Sequence, residues 1–215
     1  MCNESKYSKI IELSRGGVDM TEKIINNKRY FLYSTLSEEL KPWYKQMLYR
    51  FLFKLNFEYR GFSRWYDGLF LSNYELNPER EIIICEVNYQ LAAVSILKNQ
   101  FNEKKICTLR VAKQFRNNGI GHELMELSFD VLNTAAPMIT LGKSKFNQFE
   151  SLLDYYGFRL EQVEKHYYNV LNTELVYNGQ LPYNRFRLID MFSNKDIYMS
   201  RYFNYAYLQT KNNIL

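Results

Sequence analysis

The 215-residue sequence has few cysteines and no long apolar run. Its three cysteines, Cys2, Cys85 and Cys107, are an odd number without the close spacing of a metal site, so we expect no bound metal and a reduced, cytoplasmic protein. No stretch approaches the ~18 apolar residues that a membrane span requires. Charged side chains interrupt residues 1–28, which argues against a secretory signal peptide. We therefore expect no membrane association.

The charges of the chain are close to balanced. Lys plus Arg number 28 against 23 Asp plus Glu, and the basic residues are scattered, so a nucleic-acid partner is not favoured. Aromatic residues are abundant instead: 19 Tyr, 15 Phe and 2 Trp make up 17% of the chain. Because tyrosine combines an apolar ring with a polar hydroxyl, this excess suits half-buried surfaces and interfaces, or it reflects biased residue usage throughout.

Hydrophobic periodicity alternates between strand-like and helix-like segments. The predicted elements are a strand at residues 29–35, two helices with apolar positions at 43–55 and 62–70, strands at 81–88, 91–97 and 105–112, a helix at 116–133, a strand at 138–141, a helix at 146–156, and strands at 160–170 and 174–177. The Thr-Leu-Ser-Glu run at residues 35–38 predicts a capping box for the first helix. This order predicts a mixed α/β (α+β) fold with a mainly antiparallel sheet and a parallel crossover behind it.

Three segments follow from this pattern: an arm at residues 1–28, a domain at 29–179 and a C-terminal extension at 180–215. Ser193 in the extension can cap an aromatic amphipathic helix, on which Ile197, Arg201, Tyr205 and Leu208 share a face with Tyr198 and Tyr202. We expect this helix to dock on its own domain. A contact between two copies in a homodimer is the alternative.

The segment at residues 106–124 carries the clearest chemical signal. An apolar strand runs into Arg116-x-x-Gly119-x-Gly121, and a helix begins at once. Glycine lets the backbone approach a ligand closely, and the free N–H groups at a helix start attract an anion. The segment lacks the Gly-Lys-Ser/Thr ending of a P-loop and the third glycine of a dinucleotide site. It therefore predicts an anion site of another class, or a glycine turn that only packs a helix on a strand.

Two motifs at the right separation resemble those of the GNAT superfamily of acetyl-CoA-dependent N-acetyltransferases. They are Val111-x-x-x-Phe115-Arg116-x-x-Gly119-Ile120-Gly121 and, after a long helix and a buried strand, a helix that ends in Tyr156-Gly157-Phe158. The resemblance covers about residues 29–179 in element order. It implies a GNAT-like sheet flanked by helices, with the C-terminal helical extension added to it. It also implies direct transfer of an acetyl group from acetyl-CoA to a primary amine of a small molecule or a protein.

The resemblance further implies which residues bind acetyl-CoA. The pyrophosphate would lie in a cradle of backbone amides, those of Arg116, Asn117, Asn118, Gly119, Ile120, Gly121 and His122. Leu109, Arg110 and Val111 would lie on a strand that splays from its neighbour and pairs with the pantetheine arm. Thr140 would border the other side of that arm. The amide of Val111 or of a neighbour would then face the thioester oxygen.

Acetyl transfer benefits from an acid that protonates the departing thiolate. Many GNAT enzymes place a tyrosine four residues before the Gly-Phe pair, but this chain has Leu153 there. Phe146 and Phe149 also replace the asparagine and alanine usual earlier in that helix. Tyr155 is the nearest substitute for the acid, and we expect Tyr156 to pack in the core.

The base that deprotonates the amine has no obvious position, because the strand at 105–111 carries no carboxylate. Glu86 on a neighbouring strand is the first candidate, and His166 on a later strand is the second. Arg110 beside the implied acetyl site suggests an anionic group on the acceptor, or it forms a surface ion pair. Two rival functions stay open: a GNAT-type toxin that acetylates aminoacyl-tRNA, and a non-catalytic module that keeps the coenzyme site.

Overall fold

The computed structural model describes residues 22–59, 61–168 and 172–182. Its strands are β1 (Glu22–Ile25), β2 (Lys28–Leu32), β3 (Arg80–Val87), β4 (Gln90–Gln100), β5 (Glu103–Val111), β6 (Met138–Gly142), β7 (Leu160–Lys165) and β8 (Thr173–Tyr177). Its α-helices are α1 (Lys41–Leu52), α2 (Phe62–Asp67), α3 (Ile120–Leu132) and α4 (Phe146–Tyr155). Within these ranges, every helix is too short or too polar to cross a membrane.

All the strands belong to one sheet in the order β1-β2-β3-β4-β5-β6-β8-β7. Neighbours pair antiparallel except β5 and β6, which are parallel because α3 carries the chain back across the sheet. The β3–β4 hairpin turns at Asn88 and Tyr89, with φ of 50° and 63°, as a two-residue turn requires. The mixed, mainly antiparallel sheet predicted from the sequence is confirmed.

The sheet is covered on both faces because its strands alternate apolar side chains between two hydrophobic cores. Helix α3 packs Leu124 and Met125 with Ile83, Ile139 and Leu141 on one face. On the other face lie buried residues of α1 and α2 together with alternate residues of β3 and β4: Tyr44, Leu48, Leu52, Phe62, Tyr66, Ile82, Ile84, Val94 and Ile96. Both faces border the site described below, because strands β5 and β6 separate and the gap between them connects the two faces.

The predicted capping box at residues 35–38 is wrong. Helix α1 begins later, at Lys41, and its N-cap residue Leu40 makes no side-chain capping bond. The Thr35 hydroxyl instead donates to Leu32 O at 2.9 Å, because Thr35 closes a 3-10 turn after β2. Pro42 lies in the first turn of α1, as expected for a residue without an N–H group.

The sheet begins at Glu22, inside the segment assigned to an arm. Strand β1 pairs with β2 across a turn at Asn26 and Asn27, both of which have positive φ. Residues 22–28 are therefore part of the sheet and not of a separate arm. Lys28, at the start of β2, lies close to the site described below. The rest of the predicted arm, residues 1–21, and the predicted helix near residues 197–208 lie outside the described residues.

Candidate active site

Strands β5 and β6 separate soon after they meet. Their register contains Lys105 opposite Met138 and Ile106 opposite Ile139, whereas β5 stays paired with β4 as far as Val111. A cavity of about 930 Å³ opens at this fork. Its walls come from β5, the start of α3, β6, α4 and the chain that follows α1. The cavity therefore reaches the sheet edge that the fork exposes.

The open edge of β5 presents backbone groups to the cavity. Ala112 N–H donates to Ala92 O at 2.8 Å, so the amide of Ala112 points toward β4. Because backbone groups alternate along a strand, the N–H and C=O groups of Val111 and Leu109 point the other way, into the fork. Arg116 Nε donates to Val111 O at 3.3 Å from that side. This edge can accept an added extended chain.

The loop before α3 forms an anion cradle. Asn117 and Gly119 take left-handed φ values of 62° and 78°, and the first intrahelical bond runs from Glu123 N–H to Gly119 O. The earlier amides of α3, at Ile120 and Gly121, therefore have no acceptor within the helix. Together with the helix dipole they favour a bound anion. A side-chain Cβ built on Gly121 would meet nothing within 4 Å, so the space beside this residue is open.

An ion pair beneath the cradle fixes its shape. Lys28 on β2 is buried, and its Nζ donates to Glu123 Oε1 at 2.6 Å and to Asn118 O at 2.8 Å. The Tyr30 hydroxyl also donates to Glu123. A Cβ on Gly119 would lie 3.7 Å from Glu123 and 3.8 Å from Lys28. The cradle is thus anchored to the sheet, and a side chain at Gly119 would point at this anchor.

The described residues that line the cavity include five basic side chains and one acidic one. The basic residues are Lys54, Arg110, Lys113, Arg116 and Lys145, and the acid is Glu58. Glu58 is paired with Lys145 at 2.9 Å. Burial and the neighbouring charge of Arg116 lower the pKa of Arg110. The excess positive charge suits a ligand that carries several phosphates.

Nearly all the residues predicted to bind the coenzyme meet at this cavity. Its lining contains Leu109, Arg110, Val111, Arg116, Asn117, Gly119, Ile120, Gly121, His122 and Thr140. Asn118 is outside the lining, but its carbonyl accepts the bond from Lys28 that anchors the loop. The structure thus brings together residues from three separate elements that the sequence placed near one ligand.

The predicted acid, Tyr155, is outside the cavity lining. Tyr155 is the last residue of α4, and 70% of its surface is exposed. Its ring lies edge-on to the His122 ring, with 4.9 Å between the ring centroids. The residues of α4 that do line the cavity are Gln148, Phe149 and Leu152. Leu153 is buried in the core. The cavity side of α4 therefore presents no tyrosine among the described residues.

The two predicted bases also lie elsewhere. Glu86 is 5% exposed on β3, separated from the fork by β4 and β5. One of its oxygens accepts from the Tyr44 hydroxyl at 2.7 Å and the other from Arg29 at 3.2 Å. Burial and this bond to Glu86 raise the pKa of Tyr44 to about 12. Glu86 thus acts as a partnered core carboxylate, and His166 is exposed at the end of β7 outside the lining.

Other lining residues went unrecognised in the sequence. Phe51, Lys54 and Tyr59 come from the chain around the end of α1, more than forty residues before the glycine motif. Their approach to the fork depends on how α1 crosses the sheet, so no local pattern signals it. Tyr59 is the one tyrosine in the lining among the described residues, and burial and the charge of Glu174 raise its pKa.

Three solved acetyltransferase structures are among those similar to this chain. A GNAT family acetyltransferase from Elizabethkingia anophelis with acetyl-CoA bound is 22% identical over 48% of this chain and 77% of that chain, with a TM-score of 0.40. The ribosomal-protein-S18-alanine N-acetyltransferase from Escherichia coli is 17% identical over 50% and 75%, with a TM-score of 0.42. Nourseothricin acetyltransferase is 14% identical over 47% of this chain, with a TM-score of 0.43. The match covers 65% of that protein, which is less than two thirds of its length.

No curated protein sequence matches the chain significantly. Residues 36–144 match the sequence profile of the Acetyltransferase (GNAT) family. That match spans slightly more than half of the 215 residues, from the end of the first 3-10 turn to the end of β6. The chain therefore belongs to the GNAT acetyltransferase family.

Proposed function

We propose that the protein is an N-acetyltransferase that moves an acetyl group from acetyl-CoA to a primary amine. Membership of the GNAT family supports acetyl transfer. The observation that carries the proposal is the cavity at the β5–β6 fork, because it joins an anion cradle to an open strand edge. The acceptor is a small molecule or a protein, and donor and acceptor are bound together.

The cavity has features that match the two chemical parts of acetyl-CoA. The amides at the start of α3 and the side chain of Arg116 suit its pyrophosphate. The exposed N–H and C=O groups of Leu109 and Val111 suit the amide groups of its pantetheine arm, which would add to the sheet as a short strand does. The absence of a side chain at Gly121, with open space beside it, lets a phosphate approach the backbone of the cradle closely.

The thioester supplies an activated acetyl group. The Val111 amide points into the fork, where it can donate a hydrogen bond to the carbonyl oxygen as negative charge develops there. Cys107 also lines the cavity, but burial raises the pKa of its thiol. A thiol that resists ionisation is a poor nucleophile. This favours direct transfer to the amine over an acetylated cysteine.

A glycine substitution tests the coenzyme site. Gly121→Val would place a branched side chain in the open space before the cradle, and we expect the affinity for acetyl-CoA to fall by more than tenfold in calorimetry. Asn147→Val is the matched control, because Asn147 is the second residue of α4, is exposed and lies outside the cavity lining. Unchanged binding by a folded Gly121→Val protein would place the coenzyme elsewhere and refute the proposal.

A further inference from the structure

One buried carboxylate near the fork has no use in the site described so far. Glu174 on β8 is 0% exposed, and neither of its carboxylate oxygens has a hydrogen-bond partner among the described residues. A buried carboxylate without hydrogen bonds is unfavourable, and it is uncommon in stable proteins. Its retention in this strand therefore calls for a role other than packing.

Glu174 lies on the face of the sheet opposite α3. Its neighbours in β8, Leu175 and Tyr177, belong to the core under α3 and α4, so alternation directs Glu174 to the other face. Thr140 on β6 faces the same way, because Ile139 and Leu141 also belong to that core. Thr140 lines the cavity. The carboxylate is thus on the side from which an acceptor can approach a thioester held in the fork.

Glu174 lies next to residues that border the cavity. A Cβ built on Gly142, the register partner of Glu174, would lie 3.8 Å from Glu174 Oε1. Tyr59 lines the cavity, and Glu174 is the nearby charge that raises the pKa of Tyr59 most. The ring of Tyr168 packs edge-on against Tyr59 with 6.0 Å between centroids. Tyr59 and Thr140 are therefore polar lining residues on the Glu174 side of the cavity, and the Tyr168 hydroxyl beside Tyr59 accepts from Lys105 Nζ at 3.4 Å.

We propose that Glu174 is the proton acceptor of the reaction and that the acceptor substrate is an alkyl primary amine, a cation at neutral pH. This inference rests on the proposed acetyltransferase function. Tyr59 and Thr140, which line the cavity, receive the ammonium group, and the carboxylate of Glu174 attracts the cation. Glu174 replaces Glu86, whose two oxygens are already bonded to Tyr44 and Arg29.

The reaction balances with this assignment. The alkylammonium gives one proton to Glu174, through a hydroxyl or a water that bridges the gap. The neutral nitrogen attacks the thioester carbonyl carbon, the C–N bond forms, and the C–S bond breaks with its electron pair leaving on sulfur. The nitrogen then loses its second proton to the thiolate or to water. The products are the N-acetyl amine, the free thiol and one proton that Glu174 returns to solvent.

The surroundings of Glu174 are consistent with a base. Burial raises its pKa and the positive charge of Lys105 opposes this. An ordinary glutamate with pKa ~4.3 is a weak base toward an alkylammonium of pKa ~10.4, so an upward shift makes proton transfer easier. The titratable groups that face Glu174 or pack nearby are Lys105 and Cys107 from β5, Tyr59 before α2, Tyr168 after β7 and Glu164 opposite on β7.

Glu174→Gln tests the assignment, because it keeps the shape of the side chain and removes the base. We expect kcat/KM with spermidine, a lysine-containing peptide or an aminoglycoside to fall by ~10²–10⁴-fold at pH 7, with acetyl-CoA affinity unchanged. The variant should then gain about tenfold per pH unit as the free amine becomes available, while the wild type stays level. Glu161→Gln, an exposed change on β7, is the matched control and should behave as wild type.

Glu174→Asp separates a base from a structural carboxylate, since it should keep the wild-type pH profile at reduced rate. A folded Glu174→Gln protein with wild-type rates and pH profile overturns the role of Glu174 and leaves the proposed function standing. Loss of activity in Glu174→Gln with an unchanged pH profile would also overturn it. Wild-type protein that binds acetyl-CoA but acetylates none of these alkyl amines overturns the inference about Glu174 and the alkyl-amine acceptor, whereas failure to bind acetyl-CoA refutes the proposed function.

Discussion

Tyr155 and Tyr156 are adjacent residues with different surroundings. Tyr155 presents its ring to solvent and touches His122 and Tyr156 by ring edges. The Tyr156 hydroxyl donates to His122 O at 3.2 Å or to Glu126 at 3.1 Å, and its ring packs against Phe129. Burial and the Glu126 carboxylate raise the pKa of Tyr156. The contacts assign Tyr156 to the support of α3 and α4, as the sequence predicted.

Phenylalanine substitutions at the two positions should separate catalysis from packing. Tyr155→Phe should leave kcat within about twofold, because an exposed hydroxyl outside the cavity cannot reach the thiolate. Tyr156→Phe should lower the free energy of unfolding by ~1 kcal/mol, or Tm by ~2–4 °C, through loss of its hydrogen bonds. Steady-state thiol release and thermal melting measure the two effects. A tenfold or larger loss of kcat in Tyr155→Phe would restore Tyr155 as the acid.

Single residues were predictable where their role depends on neighbours in sequence. Residues 116–122 could be grouped from the sequence because the motif is contiguous, and all of them except Asn118 line the cavity. Gly119 takes the positive φ that a glycine permits. Glu86 was chosen as the base because it is a carboxylate near the right strand, but its partners Arg29 and Tyr44 come from distant parts of the chain. Glu174 was passed over because the strand pattern does not show that its oxygens lack partners.

At the scale of elements, a contact between β2 and the start of α3 holds the loop that we propose binds the coenzyme. Lys28 crosses from the sheet to the loop, where it bonds both Glu123 in the first turn of α3 and the carbonyl of Asn118. The side chains of the Lys28–Glu123 pair are only 10% and 14% exposed. A pair this well buried is costly to break, because the remaining charge is left without a partner.

Lys28→Met should therefore both destabilise the protein and weaken acetyl-CoA binding. We expect the free energy of unfolding to fall by up to ~3–5 kcal/mol, because Glu123 loses its cation. The double variant Lys28→Met/Glu123→Gln should recover much of this stability in denaturant titration. Its acetyl-CoA affinity should stay low in calorimetry, because nothing then holds the Asn118 carbonyl. Full recovery of affinity in the double variant would show that the pair contributes stability alone.

Most elements could be read from periodicity, and the errors lie at their ends. Helix α4 ends at Tyr155, one residue before the predicted end, and Gly157 beyond it has φ 66°. Strand β1 was missed because Glu22–Ile25 is short and half-exposed, and its place depends on pairing with β2. The fork between β5 and β6 was implied only by family resemblance, since divergence of two strands leaves no periodic signal.

At the scale of the whole molecule, the cavity collects residues that are up to a hundred positions apart. Its lining runs from Phe51 after the middle of α1 to Leu152 in α4. Positive charge accumulates there although the chain as a whole carries only +5. The sequence shows these basic residues as scattered, and the fold gathers Lys54, Lys113 and Lys145 around one opening. The local charge, not the net charge, determines which ligand is attracted.

Binding of acetyl-CoA should therefore weaken as salt is added. The Debye length falls from ~10 Å at 0.1 M salt to ~3 Å at 1 M, so the attraction between the basic rim and the phosphates is largely screened at the higher concentration. We expect Kd from calorimetry to rise several-fold over this range. Arg116→Ala should flatten this dependence, whereas Arg159→Ala, an exposed change outside the lining, should preserve it. A Kd independent of salt in the wild type would mean that the cavity holds the coenzyme without its phosphates at the basic rim.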